Sequence, residues 1–117
     1  MYSNPTIQNK VINLYFNSFE SQINEFPDAV LLDVRTKLEF NQARIPYSIL
    51  IDFYSSDFEK QINKLDRKKK YLIYCRSGNR SYYAVSKMLE MGFEDVAHLA
   101  SGIIGWQGKV EYENMRV

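Results

Sequence analysis

The chain has 117 residues, 45% hydrophobic and 25% charged, with fifteen basic against fourteen acidic side chains and a net charge of +1. That length holds one domain with one core, and the near-neutral balance excludes bulk charge as a force drawing nucleic acid or anionic membranes. A single cysteine excludes an internal disulfide framework and a cysteine zinc cluster.

The opening residues Met1-Tyr2-Ser3-Asn4-Pro5 carry no basic and apolar signal-peptide pattern. The longest apolar runs, such as Ala29-Val30-Leu31-Leu32, fall far short of a membrane span. The expectation is a soluble cytoplasmic protein with no nucleic-acid or membrane partner. In chain order, residues 12–16 suit an edge strand, and residues 18–26 place Ile23 and Phe26 on one side of a helix that Ser18 or Ser21 is able to cap. Residues 29–34 form a continuous apolar run after the turn pair Pro27-Asp28, the mark of a strand buried on both faces. Thr36-Lys37-Leu38-Glu39 has the form of a capping box and predicts a short helix ending near Gln42. A second strand is predicted over residues 48–53, and a helix over 57–65, with Phe58, Ile62 and Leu65 at helical spacing.

The basic run Arg67-Lys68-Lys69-Lys70 reads as a solvated turn before a third strand, residues 71–74. Residues 81–91 carry the broad apolar face Ala84, Val85, Met88, Leu89 and Met91, with Gly92 placed to follow the helix. Residues 96–99 are a weaker strand candidate, and residues 103–110 give a last helical pattern. Trp106 and the pair Met88 and Met91 read as core. Strand alternating with helix predicts one α/β domain over residues 1–117, a parallel sheet with helices on both faces. Ligands of such sheets bind where strand ends run into helix N-termini.

One strand end carries chemistry: Tyr74-Cys75-Arg76-Ser77-Gly78-Asn79-Arg80-Ser81, an apolar strand running into a cysteine, a polar loop and a helix. If the loop curls round Cys75, the amides of residues 76–80 point at its sulfur. With the helix dipole and the cations of Arg76 and Arg80, they make an anion site that favours a nucleophilic thiolate without a dedicated base. Gly78 supplies a left-handed turn, Ser81 a helix cap, and Arg80 a brace or an anion grip. A free cysteine is often only a small buried hydrophobe, but two arginines, two serines, a glycine and an asparagine in the next six residues make a poor core. His98, the single histidine, lies within the 96–99 candidate and reads as a satisfied half-buried ring rather than the base of a Cys–His hydrolase.

The loop Cys75-Arg76-Ser77-Gly78-Asn79-Arg80-Ser81 closely resembles the active-site loop of rhodanese-type sulfurtransferases. The resemblance extends from about Ser18 to Trp106, a recognisable core of about residues 18–108. Leu31-Leu32-Asp33-Val34-Arg35 with Glu39-Phe40 is similar to the family's Asp-Val-Arg segment, and Ile45-Pro46 sits at its Ile-Pro turn. Met91-Gly92-Phe93-Glu94-Asp95-Val96 and Leu99-Ala100-Ser101-Gly102-Ile103-Ile104-Gly105-Trp106 resemble its closing segments. Three pairs depart from it: Ala43-Arg44 for Gly-His, Tyr47-Ser48 for Gly-Ala and Ser101-Gly102 for Gly-Gly.

The resemblance implies a metal-free and cofactor-free transfer of sulfane sulfur, with Cys75 as nucleophile and Arg76, Ser77, Gly78, Asn79 and Arg80 around the substrate. Asp33, Arg35 and Ser81 serve as structural support. The implied partners are a small sulfur donor and a thiophilic acceptor, cyanide, a thiol or an acceptor protein in sulfur relay. The alternatives are a cysteine phosphatase or arsenate reductase and a non-catalytic docking module. Phosphatases separate Cys and Arg by five residues, whereas four separate Cys75 from Arg80.

Overall fold

The computed structural model describes residues 10–113. Five strands form one sheet: β1 (Ile12–Leu14), β2 (Val30–Asp33), β3 (Ile49–Leu50), β4 (Lys70–Tyr74) and β5 (Asp95–Leu99). Their spatial order is β1-β5-β4-β2-β3, and every pairing is parallel. Four helices connect them: α1 (Phe16–Glu25), α2 (Lys37–Gln42), α3 (Phe58–Asn63) and α4 (Asn79–Glu90). A 3-10 turn at Ile103–Gly105 follows β5.

The sheet has two covered faces because its central strands carry apolar residues in succession, Val30-Leu31-Leu32 in β2 and Tyr71-Leu72-Ile73-Tyr74 in β4. Alternation along β4 sends Tyr71, Ile73 and then Cys75 to one face, where α3 and α4 contribute Phe58, Ile62, Ala84, Val85 and Met88. Leu72 and Tyr74 go to the other face, where α1 supplies Phe19 and Ile23, and Trp106 joins them. Trp106 meets Phe16 and Phe19 edge to face at 5.1 and 6.3 Å. The expected α/β architecture is present, including the edge strand near residue 12. Residues 1–9, part of the N-terminal stretch whose role the sequence leaves open, lie outside the described residues.

Boundaries differ where tertiary packing outweighs local signals. The first helix starts at Phe16 rather than near Ser18, without a side-chain cap, because Phe16 and Phe19 anchor its first turn on Trp106. The strand expected over 48–53 is reduced to Ile49–Leu50 at the sheet edge. The segment 103–110 makes only one 3-10 turn, after which the chain returns to pair Arg44 with Glu111 in an antiparallel bridge. The basic run does form a turn. Within it Arg67 donates to the Asn63 and Met91 carbonyls at 2.9 and 3.1 Å, and Lys70 pairs with Asp95 at 3.2 Å.

The departures from the family pattern are absorbed in distinct ways. Ser101 precedes Gly102, and of the two only Gly102 takes a positive φ, 70°. Arg44 stacks on Phe40 at 4.4 Å and bonds Glu111 and Glu113, so its side chain ties the C-terminal segment to α2. Tyr47 is different: its φ of 71° is the left-handed region, and its side chain is 92% exposed. A β-carbon is strained there and no burial offsets the strain. Tyr47→Gly is therefore expected to stabilise the fold by about 1 kcal/mol, read as a raised midpoint in urea with an unchanged slope; a lowered midpoint contradicts the strain assignment.

Candidate active site

Cys75 is the first residue after β4, and its side chain is 1% exposed. Its sulfur accepts main-chain hydrogen bonds from Gly78 N–H at 3.1 Å and Ser81 N–H at 3.3 Å. Ser81 is the third residue of α4, and its amide is one of the first-turn donors that a helix cannot satisfy internally. The residue preceding the helix, Gly78, has no side chain to cap it. The sulfur takes that place, so the same atom is the chemistry-bearing group and the acceptor at the helix N-terminus.

Two expectations need correction here. The helix begins at Asn79, so Ser81 is not its cap; its hydroxyl lies 3.5 Å from the Cys75 sulfur and 2.8 Å from His98 Nδ1. Of the amides of residues 76–80, only Gly78's donates a hydrogen bond to the sulfur, and the second donor is Ser81.

The loop is locked from behind. Gly78 has φ 103°, and a β-carbon there would lie 2.1 Å from the Ala100 carbonyl oxygen. Gly102 approaches as closely from the other side, where a β-carbon would lie 2.0 Å from the Arg76 carbonyl oxygen. That proximity lets Ile103 N–H donate to the Cys75 carbonyl at 2.9 Å and Ile104 N–H to the Arg76 carbonyl at 3.1 Å. The segment after β5 thus clamps the loop after β4.

The charged groups divide into held and free. Arg80 braces the loop: its guanidinium makes a forked pair with Glu39 at 2.7 and 2.9 Å. Glu39 also completes the expected capping box with Thr36, so α2 and the cysteine loop share one carboxylate. The Arg80 hydrogen bond holds the Glu39 carboxyl down at about 2, well below its ordinary value. Asp33 and Arg35, both buried at the end of β2, form a bidentate pair at 2.9 and 2.7 Å, and Arg35 also donates to the Ala43 carbonyl at 2.6 Å. Arg76, Ser77 and Asn79 face solvent, and Arg76 makes no ion pair among the described residues. Exposed Leu38, Tyr54 and Ile104 stand on segments next to the loop.

His98 is more closely tied to the cysteine than its sequence context indicates. It is 2% exposed, and burial pushes its pKa down to about 4 by disfavouring the cation. One ring nitrogen meets Ser81 Oγ and the other meets Asn13 Oδ1, both at 2.8 Å. The sequence signal was its place in a strand beside the cysteine strand, but Asn13 lies 85 positions away. Among the described residues no group of histidine, cysteine and carboxylate side chains is placed to hold a metal ion, and no helix is long and apolar enough to cross a membrane.

A parallel α/β sheet that presents one thiol at a strand end, capping the next helix, defines a cysteine-loop α/β protein. The family model for the rhodanese-like domain matches residues 17–109, and the chain belongs to that family. It is 30% identical over 89 residues to a sulfurtransferase of Allochromatium vinosum, covering 76% of this chain and 81% of that one. It is 34% identical over 91 residues to the adenylyltransferase and sulfurtransferase UBA4 of Meyerozyma guilliermondii, covering 72% of this chain but only 21% of that longer protein. The crystal structure of a rhodanese-related protein from Thermoplasma volcanium superposes with a TM-score of 0.72 at 28% identity, covering 88% of this chain and 98% of that one.

The Glu39–Arg80 pair gives a pH signature. Because folding lowers the Glu39 value from 4.5 to about 2, its contribution is fully present above about 4.5 and is lost as the pH falls toward 2. Glu39→Gln is expected to cost about 1 kcal/mol at neutral pH. Chemical unfolding of both proteins should show that difference constant from pH 5 to 8 and shrinking below about 4.5; a difference that grows on acidification contradicts the assignment.

Proposed function

We propose that this protein moves sulfane sulfur from an anionic donor such as thiosulfate to a thiophilic acceptor through a Cys75 persulfide. The Cys75 thiolate attacks the outer sulfur of thiosulfate; a new S–S bond forms, the old one breaks, and sulfite leaves with its electron pair. The terminal sulfur of the persulfide is then taken by cyanide or a thiolate, which regenerates the Cys75 thiolate. Charge is conserved in both steps, so a fixed set of donors serves both, and this is covalent catalysis of the ping-pong kind.

The observation that carries the reading is the pair of main-chain amides on one sulfur. In this reading Arg76, Ser77 and Asn79 form the solvent-facing rim that receives the anionic donor. Gly78 and Arg80 shape the loop, Ser81 supports the sulfur, and Asp33 with Arg35 supports the neighbouring strand end. A reducing cytoplasmic setting fits a thiol that must return to its free state after each cycle. Relatives named as sulfurtransferases, one joined to an adenylyltransferase, support an acceptor that is a partner protein in sulfur relay.

The phosphatase alternative is disfavoured by Arg80, whose guanidinium is engaged by Glu39 in a two-point pair and is not free to clasp a tetrahedral oxyanion. Cys75→Ser should reduce thiosulfate:cyanide turnover to the uncatalysed background while the variant still unfolds cooperatively. Wild-type protein should leave a phosphate monoester intact. Turnover retained in the variant, or hydrolysis of the ester, overturns the reading.

A further inference from the structure

A continuous line of hydrogen bonds runs from the Cys75 sulfur to the β1 edge of the sheet. Cys75 Sγ lies 3.5 Å from Ser81 Oγ, Ser81 Oγ lies 2.8 Å from His98 Nδ1, and His98 Nε2 lies 2.8 Å from Asn13 Oδ1. Cys75, Ser81 and His98 are all buried, whereas Asn13 is exposed on the edge strand. The topology explains how they meet: β1, β5 and β4 are successive neighbours, Asn13 is in register with His98, and His98 is in register with Ile73, which shares a face with Cys75.

The directions of these bonds follow from donor and acceptor counts. The Asn13 carbonyl oxygen only accepts, so His98 Nε2 carries the hydrogen and Nδ1 of the neutral ring is an acceptor. Ser81 has one hydroxyl hydrogen and two acceptors within reach, Nδ1 at 2.8 Å and the Gly78 carbonyl at 3.3 Å. The shorter contact takes it. The Ser81 lone pairs are then left facing the cysteine, placed to receive its S–H.

We infer that His98 is a positioning residue for Cys75, drawing off the thiol proton through the Ser81 hydroxyl. In the step, the S–H bond breaks and its proton passes to Ser81 Oγ as the Ser81 proton passes to His98 Nδ1. The electron pair stays on sulfur. Cys75 becomes a thiolate, His98 an imidazolium, and Ser81 is unchanged in composition but reversed in direction. Its hydroxyl now donates to the sulfur and accepts from Nδ1–H. Asn13 accepts from Nε2–H before and after, so the outer end of the line does not rearrange.

The surroundings make this coupling specific. Among the described residues, the groups in hydrogen-bond or ring contact with the imidazole are Asn13 from β1 and Ser81 and Tyr82 from α4, none of them charged. Desolvation is the only cause that moves the His98 acidity, and it disfavours the cation. A negative sulfur, joined to the ring through Ser81, is the group on this line able to counteract it, and that sulfur also faces the Arg80 guanidinium. The inference rests on the sulfur-transfer reading only for what the thiolate does next.

The chain has one histidine, so nitrogen-15 NMR of the imidazole reports on His98 without assignment. The expected result is that its titration midpoint in the reduced wild type lies about one pH unit or more above that in Cys75→Ser. In parallel, His98→Phe should slow Cys75 alkylation by iodoacetamide about tenfold near pH 6 while leaving the rate near pH 10 unchanged. A purely structural histidine would give coincident midpoints, or an equal rate change at every pH, and either result overturns the inference. If His98→Phe does not fold, the NMR comparison decides alone. Neither readout involves turnover. Linked titrations in a protein without sulfur-transfer activity would therefore overturn the proposed function and leave the relay standing, and active protein with unlinked titrations would do the reverse.

Discussion

Everything at this strand end depends on one sulfur serving as the acceptor for a helix that has no other cap. An amide at the first turn of α4 needs a partner, and Gly78, which occupies the capping position, offers no side chain. The Cys75 sulfur satisfies the Ser81 amide and the Gly78 amide together. The arrangement is favourable for a neutral sulfur and more so for an anionic one, because the donors and the helix dipole have one sign. Structure and reactivity thus draw on the same two hydrogen bonds.

The surroundings hold that geometry from three sides. Behind the loop, Gly102 allows the main chain after β5 to reach the Cys75 and Arg76 carbonyls. At its far end, the Arg80 fork on Glu39 ties it to α2, whose own start is fixed by the same carboxylate. Below the sheet rim, the buried Asp33–Arg35 pair fixes the end of β2, with the Arg35 guanidinium over the Tyr74 ring of β4 at 5.5 Å and reaching the Ala43 carbonyl. Breaking such a buried pair on one side typically costs ~3–5 kcal/mol, because it strands the remaining charge. The loop is therefore preorganised rather than recruited by substrate.

Much of this was legible in the sequence, for reasons that differ by residue. β2 and β4 announce themselves because a strand covered on both faces has no polar alternation to hide it. The capping box at Thr36 and Glu39 is a local device and reads locally. Cys75 stands out because its neighbours are too polar for a core. What failed to read was set by distant partners. The early start of α1 depends on Trp106, about ninety positions on. Ser81 looked like a cap because serine usually serves as one at such a place, and only the fold shows the sulfur in that role. His98 looked merely satisfied, since nothing near it in sequence names Asn13 or Ser81 as its partners. Tyr47 stands where the family has glycine, but its left-handed backbone appears only in the structure.

The central claim is that the amide-held sulfur of Cys75 is the atom that carries the transferred sulfur. Intact-mass measurement of reduced protein after brief exposure to thiosulfate tests it most directly. The account predicts a gain of one sulfur atom per chain, located on Cys75 by peptide mapping and removed by cyanide. An unchanged mass, or a gain that maps elsewhere or survives cyanide, would contradict it.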